Sequence, residues 1–412
     1  MAVGVTIGNR QAYQQSLLPQ QDIKFKHTIS GKTDSIKRLY HADNIDVLNL
    51  LVNDENVSGK VTLIYIDPPY NTGGAFETRD FKLAYDDRFS IQEYLLFMRK
   101  RLELMHTLLS DEGPIYVHLD SNMVFHVKVM MDEIFGMPNF KGMITRKKCK
   151  SKNFTRKTYG NISDYILFYS KTENTVWNRP YEEWSDEKIL KEYPYIEEGT
   201  GRRYKKVPVH APGTRNGATG SEWRGMMPPE GKHWQFTPDK LEEMDRNGEI
   251  YWSANGNPRR KVYLDQSSGI PVQDIWLDYL DVNNQNTLIT GYPTEKNIDM
   301  LKRIIEASSR PGDLVLDCFA GSGTTLAAAE ELGRNWIGVD IGDEAIATIV
   351  NRFRFGSRPM GDYVKKKRKK SDTMPLFDDN SFSDSLEKCE TAMCNITYDL
   401  FEEIDNDCDG TK

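Results

Sequence analysis

An acidic residue, two prolines and a tyrosine, Asp67-Pro68-Pro69-Tyr70, directly follow the largely apolar run at residues 61–66. An amine attached to an aromatic ring is a poor nucleophile, and acceptors that draw its nitrogen toward tetrahedral geometry favour attack on an alkyl donor. The Asp67 carboxylate and the Pro68 carbonyl can each accept one N–H, while Tyr70 offers a ring on which a planar base can stack. These residues predict alkylation of an aromatic amine. The alternative is an ordinary turn after a strand, because Asp and Pro are common in turns.

A glycine-rich turn follows another predicted strand, about 250 residues further along the chain. The turn contains Phe319, Gly321, Gly323 and Thr324, and the next predicted strand ends at Asp340. Glycines allow a ligand to approach the backbone at the N-terminus of a helix, and a distal acid can accept hydrogen bonds from ribose hydroxyls. We therefore predict a nucleoside site here. Phe319 suits either contact with the cofactor or packing in the core.

The elements that must position these residues alternate between strands and helices. This pattern predicts an α/β fold with a doubly wound, mostly parallel sheet, in which the motifs lie at the carboxyl ends of strands. Predicted helices cover residues 45–52 with Asn44 as N-cap, 90–109 with Ser90 as cap, 121–135, 300–308 and 326–332. Strands at 141–146 and 162–170 are too close for a helical crossover and predict an antiparallel hairpin.

Composition predicts five segments along the chain. An N-terminal arm covers residues 1–37, and the α/β domain is divided between 38–170 and 286–360. Residues 171–285 lose the alternation and read as an irregular inserted domain rich in Trp, Lys and Arg. Such residues suit contacts with phosphates and unstacked bases, although each Trp also suits a core position. Residues 361–412 form a basic linker followed by an acidic tail with little expected structure.

The distribution of charge favours a nucleic-acid partner despite a net charge of −7. Residues 371–412 hold twelve acids and two lysines, whereas residues 141–157 hold eight Lys or Arg and no acid. Phosphate contacts are predicted for basic residues in this run and in the insertion: Arg146, Lys147, Lys148, Lys150, Lys152, Lys157, Arg202 and Arg203.

Five cysteines without a Cys-x-x-Cys pair indicate a reducing compartment, and we expect a cytoplasmic protein with no bound metal. No apolar run reaches the length of a membrane span, so no membrane partner is expected.

Together the two motifs resemble those of the amino-methylating DNA methyltransferases of the permuted β group. Similarity covers roughly residues 38–170 and 285–345, and it extends to the modification subunits of type III restriction systems. The resemblance implies the class I methyltransferase fold, with the catalytic half before the cofactor half and a target-recognition domain between them. It also implies transfer of a methyl group from S-adenosylmethionine to adenine N6 in double-stranded DNA, on a base flipped from the helix.

By the same resemblance, Asp67, Pro68, Pro69 and Tyr70 are the catalytic residues. The cofactor residues it implies are Asp43 at the adenine amine, Asp340 at the ribose, Thr294 and Lys296 near the methionyl end, and Asp317, Phe319, Gly321, Gly323 and Thr324 around the glycine-rich turn. Asn297 stands where relatives often carry proline. A second copy of the chain and a restriction subunit are further candidate partners.

Several alternatives remain at the level of sequence. Methylation of cytosine N4 uses the same chemistry, although Asp as first residue of the catalytic motif favours adenine by resemblance. A nicotinamide-dependent oxidoreductase would carry Gly-x-Gly-x-x-Gly near its N-terminus and would not need the Asp67 motif. A non-catalytic DNA-binding module accounts for the basic run but not for the nucleoside site.

Overall fold

The computed structural model describes residues 25–29, 35–70, 75–77, 83–86, 90–150, 157–281, 288–290, 292, 295–356, 358–359 and 398–403. The chain divides into two compact units, one formed by residues 1–178 with 273–412 and the other by 179–272. The second unit is shorter than the inserted domain that the sequence predicted at residues 171–285. Residues 171–178 stay with the first unit because Trp177 stacks on Phe168 and the Asn178 amide donates to the Ala307 carbonyl at 2.7 Å. No helix in the described ranges is long and apolar enough to cross a membrane.

A ten-stranded sheet forms the centre of the first unit. In chain order its strands are β1 (Phe25–Ile29), β2 (Lys37–His41), β3 (Leu63–Ile66), β4 (Pro114–Leu119), β5 (Phe140–Lys147), β6 (Ser163–Ser170), β7 (Ile275–Trp276), β8 (Leu314–Asp317), β9 (Asn335–Asp340) and β10 (Asp399–Glu403). Their spatial order is β1-β10-β2-β9-β8-β3-β4-β6-β5-β7. The six strands from β10 to β4 are parallel, and β6 pairs antiparallel with both β4 and β5. The mostly parallel sheet and the β5–β6 hairpin confirm the predicted fold.

Helices cover both faces of this sheet. They are α1 (Asn44–Val52), α2 (Ile91–Leu108), α3 (Val124–Phe135), α4 (Ile298–Ser308), α5 (Thr324–Glu331) and α6 (Asp343–Phe355). Helices α1, α2 and α3 share one apolar core with alternate strand residues such as Ile64 and Ile66. On the opposite face, the Tyr116 hydroxyl bonds to Ser308 of α4 at 2.7 Å, and Trp336 packs on Phe353 of α6. The strands are buried on both faces of the sheet, and their sequences are therefore continuous apolar runs.

The helix boundaries differ from the predicted ones where capping decides them. Asp43, not Asn44, is the N-cap of α1, because its carboxylate accepts from the Ile45 amide at 3.0 Å. Ser90 caps α2 as predicted and forms a capping box with Glu93. Helix α3 begins at Val124 instead of residue 121, since Asp120 accepts from the amides of Asn122 and Met123 in a turn before it.

The acidic tail contains a strand, so the expectation of an unstructured tail is wrong for residues 399–403. Strand β10 lies between β1 and β2 and is parallel to β2. Tyr398 and Leu400 are buried, and Tyr398 packs on Trp336 and Phe353. Burial of apolar side chains within an acidic segment supplies the stabilisation that its composition did not reveal.

The second unit contains a four-stranded antiparallel sheet, so it is more regular than predicted. Its strands, in spatial order, are Tyr195–Ile196, Arg203–Pro208, Pro258–Tyr263 and Ile250–Trp252. This unit also contains the α-helices Asp186–Glu192 and Pro238–Arg246, the 3-10 helices Ala218–Gly220 and Leu264–Gln266, and short strand pairs at 210–212 with 232–234 and at 181–182 with 270–271. Of the tryptophans in the insertion, Trp223 and Trp234 are buried core residues, as one of the two interpretations required.

Candidate active site

A cavity of about 360 Å³ lies where β3 and β8 end side by side. Val315 and Leu316 of β8 pair with Leu63 and Ile64 of β3 in parallel register. The residues that follow the two strands therefore meet, although more than two hundred positions separate them in the chain. The size of the cavity is within the range of small-molecule sites, roughly 300–1,000 Å³.

Most of the predicted catalytic and cofactor residues line this one cavity: Asp43, Asp67, Pro68, Pro69, Tyr70, Lys296, Asp317, Phe319, Gly321, Thr324 and Asp340. Gly323 is the N-cap of α5, immediately behind the lining. Thr294 lies outside the described residues.

The Asp67 carboxylate is held by two side chains. One oxygen accepts from the Tyr70 hydroxyl, and the other forms an ion pair with Lys296. Lys296 is 8% exposed, and its Nζ lies 5.4 Å from the centre of the Tyr70 ring. Burial, followed by the nearby Asp67 charge, raises the pKa of Tyr70 well above its ordinary value, so the hydroxyl stays protonated and donates. The carboxylate is thus fixed in orientation.

Asn297, the residue at which this sequence departs from the resemblance, caps a helix. It is the N-cap of α4, and its side-chain oxygen accepts from the amides of Asp299 at 2.9 Å and Met300 at 3.3 Å. A cap at this position begins α4 directly after Lys296 and so fixes the backbone that carries the lysine. Glu295, on the other side of Lys296, is buried and forms an ion pair with Arg352 of α6.

The glycine-rich turn has the backbone conformation that only glycine adopts easily. Gly321 has φ +51° and Gly323 has φ +71°. A Cβ on Gly323 would lie 2.7 Å from Cγ1 of Ile349, so this glycine also permits close packing of α6. The turn brings the N-terminus of α5 to the cavity, with Thr324 and Thr325 in the lining.

Two carboxylates lie beside this turn, Asp317 buried and Asp340 half-buried. Asp340 accepts from the amides of Gly321 at 2.8 Å and Gly342 at 2.9 Å, and burial raises its pKa. Burial raises the pKa of Asp317 to about 7, against the lowering effect of hydrogen bonds from Thr325 and the Phe319 amide. Asp340 therefore orders the turn as well as facing the cavity.

Asp43 reaches the cavity together with a residue that sequence reasoning missed. Arg101 of α2 is 5% exposed and donates to Asp43 at 2.8 Å. Its guanidinium also lies 3.6 Å from the centre of the Phe97 ring, which packs against Phe319. The sequence feature that could have revealed Arg101 is a charged residue within the apolar stripe of α2. Asn44 likewise lines the cavity and donates to the Cys318 carbonyl at 2.7 Å.

A chain of buried polar groups behind the catalytic motif was also missed. The Tyr65 hydroxyl, at the cavity, bonds to Nδ1 of His118 at 2.7 Å, and Nε2 of His118 lies 3.0 Å from Asp164. Burial alone would raise the pKa of Asp164, but His118 and Arg146 together lower it well below its ordinary range. A histidine within the apolar strand β4 was the available signal.

Arg146 is the last residue in this series of buried polar groups, and the prediction that it contacts DNA is wrong. Its side chain is fully buried and bonds to Asp164 at 2.9 Å, Asp281 at 2.7 Å and the Tyr279 carbonyl at 2.7 Å. A buried guanidinium with these partners has no surface to offer a phosphate. The sequence of a basic run does not show which of its residues has a side chain that points into the core.

None of the remaining predicted DNA contacts that the structure describes is among the residues lining the cavity. Lys147 and Lys148 are half-buried, Lys150 and Lys157 are exposed, and Lys152 lies outside the described residues. In the second unit, Arg202 pairs with both carboxylate oxygens of Asp265 at 2.7 and 2.9 Å and lies 3.7 Å from the centre of the Tyr263 ring. Arg203 is half-buried and donates to the Tyr193 carbonyl at 3.5 Å.

The cavity fits S-adenosylmethionine by the chemistry of its donors. The two glycines leave the backbone at the start of α5 open to a ligand, and a Cβ on Gly321 would point toward Tyr292 at 3.6 Å. Phe319 supplies an aromatic surface, Asp340 an acceptor for hydroxyls, and Asp43 an acceptor for an amine. Among the described residues there is no cluster of three or more His, Cys, Asp or Glu that could hold a metal ion.

Comparison with known proteins gives the family. The N6_N4_Mtase family model, described as DNA methylase, matches residues 61–351. The chain is 50% identical over 336 residues to the type II methyltransferase M.EcaI of Enterobacter cloacae, covering 81% of this chain and 73% of that protein. It is 46% identical over 335 residues to the DNA adenine methyltransferase YhdJ of Escherichia coli, covering 81% and 88%.

The similarity to a type III modification subunit is lower. The Mod subunit of the StyLTI restriction-modification enzyme of Salmonella typhimurium is 29% identical over 373 residues. The match covers 80% of this chain and only 55% of that protein. With the family model spanning the catalytic motif, the glycine-rich turn and the strand to Asp340, the chain belongs to the DNA methylase family.

Proposed function

We propose that this chain transfers a methyl group from S-adenosylmethionine to the N6 amine of adenine in double-stranded DNA. The main observation in support is that Asp67, Tyr70 and Lys296 line the same cavity as the glycine-rich turn. Support for adenine comes from the Asp that begins the catalytic motif and from the 46% identity to a protein named as an adenine methyltransferase.

The residues of the chain account for activation of the amine. When bound, S-adenosylmethionine supplies an electrophilic methyl group on a sulfonium. Asp67 accepts one N–H of the target amine with a lone pair left by its contacts with Tyr70 and Lys296, and the Pro68 carbonyl accepts the other. These acceptors concentrate the nitrogen lone pair toward the methyl donor and stabilise the positive charge that develops on nitrogen.

The orientation of Asp67 is established before the base arrives. Tyr70 and Lys296 hold opposite oxygens of the carboxylate, so little reorganisation is needed when the amine binds. The Tyr70 ring is available for stacking, and we include rotation of the adenine out of the duplex, because the stacked helix hides the amine from Asp67. Tyr65, which lines the cavity, is held by its hydrogen bond to His118, and His118 in turn lies beside Asp164.

We place the nucleoside of the cofactor in the same cavity. We assign Asp340 to the ribose hydroxyls, Asp43 to the adenine amine of the cofactor and Phe319 to its ring. Gly321, Gly323 and Thr324 form the turn beneath it, Asp317 supports that turn, and Thr294 with Lys296 belongs to the methionyl end. The support is that all of these except Thr294 and Gly323 line the cavity.

The wider assignments follow from the same proposal. The unit at residues 179–272 is the target-recognition domain, and Lys147, Lys148, Lys150, Lys152 and Lys157 contact DNA phosphates. A second copy of the chain and a restriction subunit are proposed partners, the latter because the StyLTI Mod subunit is a relative. Cytoplasmic location stays a prediction from cysteine usage.

Expression in a bacterium that lacks DNA methylation tests the function. We expect N6-methyladenine at one sequence motif by single-molecule sequencing, and its nucleoside by mass spectrometry of digested DNA. Asp67→Ala is the matched control and should give no modified base. N4-methylcytosine would overturn the choice of adenine while keeping the mechanism; unmodified DNA from the wild-type chain would overturn the proposal.

A further inference from the structure

One side of the four-stranded sheet in the second unit is covered by a helix beside the strand Ile250–Trp252. Residues paired across antiparallel strands share a face, so Ile250 and Arg260 are on one side and Tyr251 and Arg259 on the other. Ile250 is buried against Trp223 and Leu241, and Trp252 packs on the same cluster. Helix Pro238–Arg246 contributes Leu241 and Met244 to it and therefore covers this side.

The opposite face carries basic and aromatic side chains. The pairings Tyr195 with Tyr204, Tyr204 with Tyr263, Lys206 with Lys261, and Arg259 with Tyr251 place these residues together. We call the five that form its accessible part the open sheet face: Tyr195, Lys206, Tyr251, Arg259 and Lys261. Tyr195 and Arg259 are exposed, and the other three are half-buried.

Positive charge is concentrated on this sheet although the unit as a whole is balanced. Residues 179–272 contain fifteen Lys or Arg and fifteen Asp or Glu. The two central strands, Arg203–Pro208 and Pro258–Tyr263, contain six basic residues and no acid. Three of the six, Lys206, Arg259 and Lys261, are on the open sheet face and the other three on the opposite side, so this face carries a local positive charge within a neutral unit.

Lys206 shows that this arrangement costs stability. It lies directly opposite Lys261 in the register, and like charges at opposed positions destabilise a sheet. Lys261 is compensated by Glu197, at 2.8 Å. Among the described side chains, Lys206 has no carboxylate within ion-pair distance and is held instead between two rings, 3.4 Å from the centre of Tyr251 and 3.7 Å from that of Tyr195.

The two rings give Lys206 a fixed position at the surface. A cation held against aromatic faces keeps its charge and its N–H donors, while the long side chain loses rotamer freedom in advance. Binding an anion then costs less ordering entropy than binding by a free lysine. Arg259, two residues from Lys261 on the same strand, adds an exposed guanidinium to the same face.

We infer that the open sheet face binds the phosphodiester backbone of the DNA duplex, with Lys206 and Arg259 as its principal contacts. This inference rests on the proposed function and assigns the DNA contacts of the second unit to different residues from those predicted from sequence. Arg202 and Arg203, predicted from sequence, are occupied: Arg202 by Asp265, and Arg203 by its carbonyl contact with Tyr193. Phosphate contacts carry no sequence information, so the face contributes affinity and register while other groups read bases.

The test compares two double variants of the full-length chain that remove the same charge. Lys206→Gln with Arg259→Gln alters the open sheet face. Lys240→Gln with Arg246→Gln alters the helix that packs on the opposite face, and both of its residues are exposed. Fluorescence anisotropy measures binding to two labelled duplexes, one with and one without the methylated sequence, over a range of salt concentrations.

We expect the first variant to bind both duplexes about 10-fold more weakly and to reduce the log–log salt slope by about two units. The control variant should bind as the wild type does. The charge-conserving variant Lys206→Arg with Arg259→Lys should restore most of the binding, and thermal unfolding of all variants checks that the unit is folded. Unchanged binding, an equal loss in the control, or a loss confined to one duplex would each overturn the inference.

Failure of this inference can be told from failure of the proposed function. The wild-type chain is first analysed for methylated product, independently of the variants. With saturating DNA, the control variant Lys240→Gln with Arg246→Gln should keep the wild-type turnover number, because neither residue is proposed to contact DNA or is among the residues lining the cavity. If the wild type makes N6-methyladenine but the open-face variant binds DNA normally, only the assignment of the face is lost.

Discussion

Lys296 and Asp67 form a partly buried ion pair although they are 229 positions apart in the chain. Asp67 follows the central strand β3, whereas Lys296 directly precedes α4. The pair therefore joins two segments of the first unit that the second unit separates in the sequence. It also holds one oxygen of the carboxylate that we propose activates the target amine.

Removal of the ammonium group should reduce turnover. Lys296→Met keeps the length of the side chain but leaves Asp67 held only by Tyr70. A charge-assisted hydrogen bond contributes roughly 1.5–3 kcal/mol, so we expect turnover to fall about 10- to 100-fold. Single-turnover kinetics with saturating DNA and cofactor make the measurement. Lys296→Arg, which keeps the charge, should lose less; equal losses in both variants would contradict the role of the charge.

Replacement of the catalytic carboxylate should affect chemistry more than binding. Asp67→Ala should cut turnover by at least about 100-fold while cofactor and DNA affinity stay near wild-type, because its contact with the amine is strongest in the transition state. Full activity of this variant would contradict the mechanism.

The two parts of Tyr70 can be separated by substitution. Because the Tyr70 hydroxyl donates to Asp67, Tyr70→Phe should cost roughly 3- to 10-fold in turnover, as expected for one hydrogen bond. Tyr70→Ala should cost more and also weaken the complex with the flipped base, since it loses the stacking ring. Fluorescence of 2-aminopurine at the target position reports on flipping. Identical kinetics of the two variants would show that the ring makes no contribution.

Cofactor affinity should depend on Asp340. Asp340→Ala removes the proposed ribose acceptor and the acceptor for the amides of Gly321 and Gly342, and should weaken S-adenosylmethionine binding about 10- to 100-fold. Gly321→Trp should also abolish binding, because a side chain there fills the approach to the turn. Calorimetry measures the affinity, with circular dichroism as a control for folding. Unchanged affinity in both variants would refute the assignment of the turn.

Asp317 should make stability fall as pH rises. Its pKa is raised to about 7 in the folded chain, so between its ordinary value near 4 and pH 7 the folded state binds more protons than the unfolded state. The contribution of this group is therefore most favourable at low pH and is lost as pH rises through about 7. Asp317→Asn should remove this dependence and, at pH 8, stabilise the fold by a few kcal/mol at most. Denaturant unfolding at pH 5 and pH 8, compared with the wild type, tests the sign.

Arg146 and the lysines that follow it should behave oppositely. Arg146→Met leaves Asp164 buried with one charged partner fewer, and loss of one member of a buried pair costs about 3–5 kcal/mol. Alanine at Lys147, Lys148 and Lys150 should leave stability almost unchanged but weaken binding to all DNA sequences and lower the log–log salt slope by up to about three units. Denaturant unfolding and DNA binding, measured on both variants, separate the two effects. A stable Arg146→Met chain would contradict the structural role of Arg146.

The sequence alone was sufficient for the mostly parallel sheet and for the two turns that follow β3 and β8. Local patterns carry that information: a strand that is buried on both faces reads as a continuous apolar run, prolines end it after Asp67, and glycines mark the turn at 321 and 323. The hairpin of β5 and β6 followed from the short connection between them.

Only the tertiary structure decided which polar residues meet. The ion pair of Lys296 with Asp67 and the burial of Arg101 and Arg146 depend on the strand order and on which way each side chain points. A basic residue looks the same in a sequence whether it faces solvent or a buried carboxylate. The same is true of Lys206, since its position between Tyr195 and Tyr251 is set by the register of three strands that are distant in the chain.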